Sequence, residues 1–175
     1  MTRNVARILI LLRKMRRRFP RIDVMRVWVV AILIGIAAAY AVIGFRFAID
    51  NVSLFAFGAT EASMTSGAAS LSPWRAWAAP VLGGLVVSAM LYLAERFNWL
   101  PGGRGQAVAD VIEARAVSGG RISLRAGLAA AAISAVSLGA GGSAGREGPA
   151  VHLGATIASL LNRKLGFDAK QRRAL

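Results

Sequence analysis

Cysteine is absent from the 175 residues, and only one histidine is present. Without cysteine the chain forms neither disulfides nor cysteine-ligated metal sites, and we expect it to hold no metal and no cofactor. Charged residues are also few, at 17%, against about 25% in ordinary soluble domains. Because 56% of the residues are hydrophobic, this balance favours a membrane protein over a soluble domain.

Acidic residues are the scarcer charged group, since 8 Asp and Glu stand against 22 Lys and Arg and give a net charge of +14. In a soluble protein that charge would indicate nucleic-acid binding. The basic residues, however, concentrate towards the two ends of the chain, with long uncharged runs between them. Because the positive-inside rule places basic residues beside apolar spans, we interpret the ends as membrane flanks.

Three uncharged runs cover residues 27–45, 76–94 and 126–145. Each holds 19 or 20 residues, and a helix of that length matches the roughly 30 Å hydrocarbon core of a bilayer. They predict spanning helices near 27–49, 76–97 and 123–142, with Pro80 in the first turn of the second. Gly35, Gly83 and Gly84 suggest close helix packing. Residues 1–23 are interpreted as a basic cytoplasmic lead, and residues 50–75, which are poor in basic side chains, as an external loop.

Two glycine-rich stretches interrupt this pattern and predict short helices near 106–117 and 149–162. The second segment begins at Pro149, because proline is favoured at a helix start, and its 13 or so apolar residues are too few to cross a bilayer. The predicted fold is therefore all-α: a polytopic membrane protein that combines full spanning helices with broken half-helices. Irregular backbone at membrane depth is tolerated where protein buries it or a polar cavity touches it.

A broken helix of this kind has a chemical use. Its N-terminus presents unpaired N–H groups and a partial positive charge, which together bind anions. Glu147 stands at the mouth of the predicted site, and a carboxylate within a membrane is a functional hypothesis in itself. When ionised it occupies the position of a transported anion, and when protonated or displaced it vacates that position. Arg146 adds positive potential. The alternative is a structural ion pair of Glu147 with Arg146 or Arg125.

The stretch Gly145-Arg-Glu-Gly-Pro149, followed by Ala-Val-His-Leu-Gly-Ala155, resembles the motif of the CLC family of chloride channels and chloride/proton exchangers. The resemblance implies that Glu147 is the gating glutamate and the proton carrier. It also implies that the backbone amides of Arg146, Glu147 and Gly148 line an anion position.

A second CLC motif, glycine-serine (or histidine)-glycine-hydrophobic-proline-glutamate, has a degenerate copy that starts at Gly105. Gln106 stands where the family has an anion-coordinating serine or a histidine, and Ala107 replaces the second glycine. The resemblance implies anion binding at Gln106 and Ala107, and the glutamine amide can still donate a hydrogen bond. Its bulk puts the geometry of this central position and the anion selectivity in question.

The resemblance runs from about Arg16 to the end and covers well under half of a family member. We therefore expect a fragment, with 24–175 as a partial CLC transmembrane domain that does not conduct by itself. The resemblance implies transport of chloride or a similar anion, with or without protons, by a multi-pass protein of the plasma or inner membrane. It also implies contact with membrane lipid and a homodimer of the full-length protein. Neither channel nor exchanger is favoured.

Three other functions compete with transport. The run Gly139-Ala-Gly-Gly-Ser-Ala approximates a dinucleotide-binding pattern, but that pattern needs a preceding strand, so we expect no enzyme. A soluble helical protein whose basic ends bind nucleic acid is the second; it would be soluble without detergent and its binding would depend steeply on salt, and the three uncharged runs oppose it. A membrane subunit that serves assembly without transport is the third alternative, and it would not bind anions at the broken helix.

The remaining titratable groups receive structural interpretations. His152 is expected to be a packed, hydrogen-bonded residue that is isolated from other titratable side chains. Asp110 and Glu113 fall on the short helix after Gln106, where they are expected to pair with Arg115 or Arg121.

Overall fold

The computed structural model describes residues 21–60, 63, 72–100 and 108–165. This part of the chain is all-helical, as predicted, and contains no strand. Its five helices are, in chain order, α1 Arg21–Phe57, α2 Pro73–Arg96, α3 Val108–Ala116, α4 Leu124–Gly139 and α5 Glu147–Lys164. Within the described residues, α1 from Trp28 onward and the whole of α2 are long and apolar enough to cross a membrane.

Helix α1 is longer than predicted, because it continues through Asp50 to Phe57 where an external loop was expected. Polar side chains in this last part bond to backbone carbonyls instead of breaking the helix. The Asn51 side-chain amide donates to Phe47 O at 2.7 Å, and the buried Ser53 hydroxyl donates to Gly139 O of α4 at 3.1 Å. The helix ends where Gly58 adopts a positive φ of 75°, a conformation that favours glycine.

Helix α2 begins at Pro73, so Pro80 lies inside the helix and not in its first turn as predicted. Proline at the start is tolerated since the first N–H groups of a helix lack helical partners. Pro80 has no N–H and cannot complete the bond to the carbonyl four residues earlier. The helix nevertheless continues to Arg96.

Helices α4 and α5 also differ from expectation in length. The third uncharged run was predicted to span, but α4 has 16 residues and is about 24 Å long, short of the roughly 30 Å hydrocarbon core. Helix α5 has 18 residues and starts at Glu147, two positions before Pro149. Proline fits there because the amides of the first helical turn have no partner within the helix.

The centre of the bundle is formed by α1, α4 and α5, with α2 packed on α4 and α3 packed on α5. The core cluster contains Phe45 and Ile49 of α1, Ala131 and Ala135 of α4, and Leu153 of α5. Contacts at the helix ends give the directions: α4 ends beside the last turns of α1, whereas the connection into α4 bonds to the second half of α5. Helices α1 and α4 are therefore parallel, and α5 is antiparallel to both.

Small residues set the closest helix contacts, although only some of the predicted glycines take part. A Cβ at Gly83 would overlap Ala140, and a Cβ at Gly139 would lie 2.5 Å from Val52 Cβ. At Gly35 and Gly84, in contrast, an added Cβ would meet none of the described residues within 4 Å, so the expected close packing is not found there within the described part of the chain.

Candidate functional site

The glycine-rich connection between α4 and α5 turns the chain back so that α5 starts beside the end of α4. Gly141 has a φ of 94°, and Gly142 donates to Ser137 O at 2.8 Å. A Cβ at Gly142 would lie 2.6 Å from that same carbonyl oxygen, so a larger residue does not fit. Both glycines are therefore needed for the path of this turn.

The start of α5 carries backbone amides that no bond within the helix uses. Arg146 is the N-cap residue, and the first helical backbone bond runs from Ala150 N to Arg146 O at 3.3 Å. The amides of Glu147 and Gly148 precede this first bond, and Pro149 contributes none. These amides and the helix dipole make the start of α5 electropositive, the general condition for anion binding at a helix N-terminus.

An open cleft of about 440 Å³ lies in front of this helix start, and we call it the α5 cleft. Ile49 and Ser53 of α1 form one wall, and residues of the α4–α5 connection form the other. Arg146 and Glu147 both line the α5 cleft and are exposed. The volume is large enough for a small anion with several waters, given about 30 Å³ per water. The predicted gate residue Glu147 and the neighbouring Arg146, two of the three residues predicted to supply amides, thus line one cleft.

The second predicted anion position falls on residues that the structure does not describe. Gly105, Gln106 and Ala107 lie outside the described residues. The helix that follows them, α3, packs against α5, as two helices that share a site would do. Anion binding at Gln106 and Ala107 stays a prediction.

His152 is not isolated, contrary to the prediction. It is 3% exposed and lines a cavity of about 210 Å³, here called the His152 cavity, together with Asp110, Glu113 and Arg121. Helix α3 supplies the two carboxylates, and the α3–α4 connection supplies the arginine. No local sequence pattern indicates this cluster, because the packing of α3 on α5 joins residues that are about 40 positions apart.

A row of buried polar side chains on α5 also escaped prediction, and we call it the polar stripe: His152, Thr156, Ser159 and Asn162. The Thr156 hydroxyl donates to His152 O at 2.7 Å, and the Ser159 hydroxyl accepts from Ile122 N at 2.9 Å. The Asn162 Oδ1 atom is buried and has no hydrogen-bond partner among the described residues. Spacings of three and four residues were the available signal, since they place all four on one helix face.

These features define an all-helical protein with membrane-spanning candidates and a broken helix that opens on a cleft. Residues 83–175, more than half of the chain, match the model of the family described as "Voltage gated chloride channel". The chain belongs to this family, which confirms the resemblance seen in the glycine-rich motif.

Curated relatives agree with this assignment. The chain is 38% identical over 136 residues to a "Putative chloride channel protein ClcB-like" of Ralstonia nicotianae, which covers 78% of the chain and 30% of the relative. It is 30% identical over 136 residues to a "Voltage-gated ClC-type chloride channel ClcB" of Yersinia pestis, covering 78% of the chain and 32% of the relative. A protein of the same name from Citrobacter koseri is 34% identical over 130 residues, covering 74% and 30%.

The chain thus spans about a third of the length of these curated relatives. No solved structure gives a significant match to it.

Proposed function

We propose that the chain forms the part of an anion transporter that carries one anion position and its gate. One observation carries the proposal: the electropositive start of α5 opens on the α5 cleft, and Glu147 lines that same cleft. Discontinuous helices that aim their N-termini at an anion are a recurrent device of membrane transporters. The names of the relatives favour chloride as the anion.

In the proposed mechanism, the Glu147 carboxylate and the transported anion compete for the backbone amides at the start of α5. The ionised Glu147 carboxylate satisfies the α5 amides and keeps an anion out. When Glu147 is protonated, it loses its charge, its attraction to the amides falls, and an anion takes its place. Arg146 raises the local anion concentration by its positive potential. If the proton on Glu147 is exchanged between the two sides of the membrane in each cycle, the same residue couples anion movement to proton movement.

The arrangement in the membrane is part of this proposal. Several basic side chains lie at the end of the bundle where α2 ends and α4 begins, among them Arg96, Arg115, Arg121 and Arg125. The positive-inside rule places this end in the cytoplasm together with the basic residues that precede α1, and so places the α5 cleft towards the outside. The family resemblance extends the proposal to a homodimer of the full-length protein.

Anion flux from liposomes tests the gate. The longest natural chain that contains this sequence is reconstituted as wild type, Glu147→Gln and Glu147→Ala, and chloride efflux is followed over a series of pH values from acidic to neutral. We expect flux in the wild type that depends on pH, and flux in both variants that does not. Glu95→Gln is the matched control, because Glu95 is exposed in the last turn of α2, away from the cleft.

Two results would contradict parts of the proposal. If the Glu147 variants keep the pH dependence of the wild type, Glu147 is a structural residue. If monodisperse wild-type protein moves no anion at any pH, transport itself fails, and an assembly role in the membrane becomes the better account.

A further inference from the structure

An apolar groove of about 550 Å³ lies between the second half of α1, the first half of α2 and the end of α4, and we call it the α2 groove. Its floor consists of small residues, among them Ala78, Ala79 and Gly83, which give it depth. Phe55, which is 94% exposed, and Leu82, which is 59% exposed, also line it. Among the described lining residues, only Asn51 and Arg75 have an amide or a charged side chain.

The length of the α2 groove fits one leaflet of a bilayer. From Arg75 to Val86, both of which line it, α2 advances about 16 Å at 1.5 Å per residue. Half of the roughly 30 Å hydrocarbon core is about 15 Å. The distance from the charged end to the apolar end therefore matches the depth from a head group to the middle of the membrane.

The charged end of the α2 groove has the character of a membrane interface. Trp74 and Trp77 stand beside Arg75 and form an edge-to-face pair with ring centroids 4.6 Å apart. Tryptophan concentrates at head-group level, so this pair marks the depth of Arg75. The Arg75 guanidinium lies next to Gly58, with Nη1 3.3 Å from the position of a Cβ there. The guanidinium therefore lies at the C-terminal end of α1, where the helix dipole favours a cation.

We propose that the α2 groove binds one phospholipid, with its phosphate on Arg75 and one acyl chain along α2 towards Val86. The charge of Arg75 complements a phosphate, which a guanidinium can grip through two parallel hydrogen bonds. Small residues make the floor, and the apolar length equals one leaflet. A phospholipid meets all three conditions, with charge at one end only and an apolar tail of leaflet length. This binding is independent of anion transport and of Glu147.

Photo-crosslinking tests the proposal on the longest natural chain that contains this sequence. The probe is a phosphatidylglycerol with a photoreactive group halfway along one acyl chain, in mixed vesicles, and the crosslinked peptides are identified by mass spectrometry. We expect labelling to centre on the residues that line the α2 groove. Leu82→Trp fills the groove and should abolish this labelling. Leu85→Trp is the matched control, because Leu85 is similarly exposed on the same helix but does not line the groove.

Arg75→Gln tests the head-group contact separately. The variant removes the charge-assisted hydrogen bonds to the phosphate, so retention of the lipid through purification should fall at least about tenfold, while the protein stays monodisperse. Equal labelling of the two leucine variants would mean ordinary surrounding lipid only and would overturn the proposal. Labelling of other apolar surfaces with none at the α2 groove, or unchanged retention in Arg75→Gln, would overturn it as well.

Discussion

At the scale of single residues, Gly127 shows how tightly α4 and α5 are joined. A Cβ at this position would lie 2.6 Å from Thr156 Cγ2 and 2.9 Å from Thr156 Cβ. Thr156 cannot turn aside easily, because it is 1% exposed and its hydroxyl is bonded to His152 O. The glycine is therefore required by the neighbouring side chain, and not by its own backbone conformation.

Gly127→Ala should destabilise the protein by about 1–3 kcal/mol, the usual cost of overpacking, even though alanine is worth up to about 1 kcal/mol more than glycine in a helix. Thermal unfolding in detergent, followed by tryptophan fluorescence, measures the change. Gly35→Ala serves as the control, because an added Cβ there meets none of the described residues within 4 Å, and it should be neutral or slightly stabilising. The double variant Gly127→Ala/Thr156→Ala should recover part of the loss; no recovery would place the clash elsewhere.

At the residue scale, the sequence predicted where α5 lies but not which side chains surround His152. The motif around Glu147 indicated a helix start, and the start lies two positions from the predicted one. That error arises because proline is acceptable anywhere in the first turn. The partners of His152 come from α3 and the α3–α4 connection, and helix packing is not visible in a local pattern.

At the scale of elements, the α3–α4 connection is held by the middle of α5. Ile122 N donates to the Ser159 hydroxyl at 2.9 Å, and Ser159 is 7% exposed. Without this acceptor the amide of Ile122 would be left unsatisfied in a partly buried place. Such a group costs about 1–3 kcal/mol, so the bond is expected to hold the connection against α5.

Ser159→Ala should therefore loosen the connection locally without unfolding the bundle. Hydrogen–deuterium exchange in peptides that cover residues 118–123 should accelerate, while exchange in the middle of α4 stays slow. Ser88→Ala is the control, since Ser88 is exposed and its hydroxyl donates to Gly84 O within the same helix, α2. Unchanged exchange at 118–123 would mean that other contacts hold the connection.

The helix boundaries were predicted less well from the sequence than the helices themselves. Apolar runs correctly indicated α1 and α2 because each run is long and free of charge. The same rule predicted that α1 ends before Asp50, which is too early. The bond from the Ser53 hydroxyl to Gly139 O, which accompanies the longer helix, is not visible in the sequence. The rule also made α4 too long, because the run of small residues continues beyond the turn at Gly141.

At the scale of the whole molecule, the directions of the helices place Ser72 and Ser118 at opposite ends of the bundle. Ser72 precedes α2 at the end where α1 finishes, and Ser118 follows α3 beside the start of α4. Both are exposed serines, and the chain has no cysteine of its own.

Single cysteines at these two positions report the orientation. In the longest natural chain, freed of any other cysteine, a membrane-impermeant maleimide should label Ser72→Cys in intact cells and Ser118→Cys only after permeabilisation. The positive-inside rule gives this direction. The reverse pattern would invert the proposed topology, and labelling of both from outside would deny that α2 crosses the membrane.

The polar stripe of α5 has a consequence for how the protein is made. Of the described helices, α1 and α2 have the length and hydropathy of spans, whereas α5 has four buried polar side chains and two basic residues in its last turn. During synthesis, the translocation channel releases a helix into the lipid more readily when the helix is more hydrophobic. Helix α5 by itself is therefore expected to enter the lipid poorly. Its polar face is covered only when α3, the α3–α4 connection and α4 pack against it. The order of synthesis supplies these partners before α5, and the α5 cleft exists only once α5 has docked.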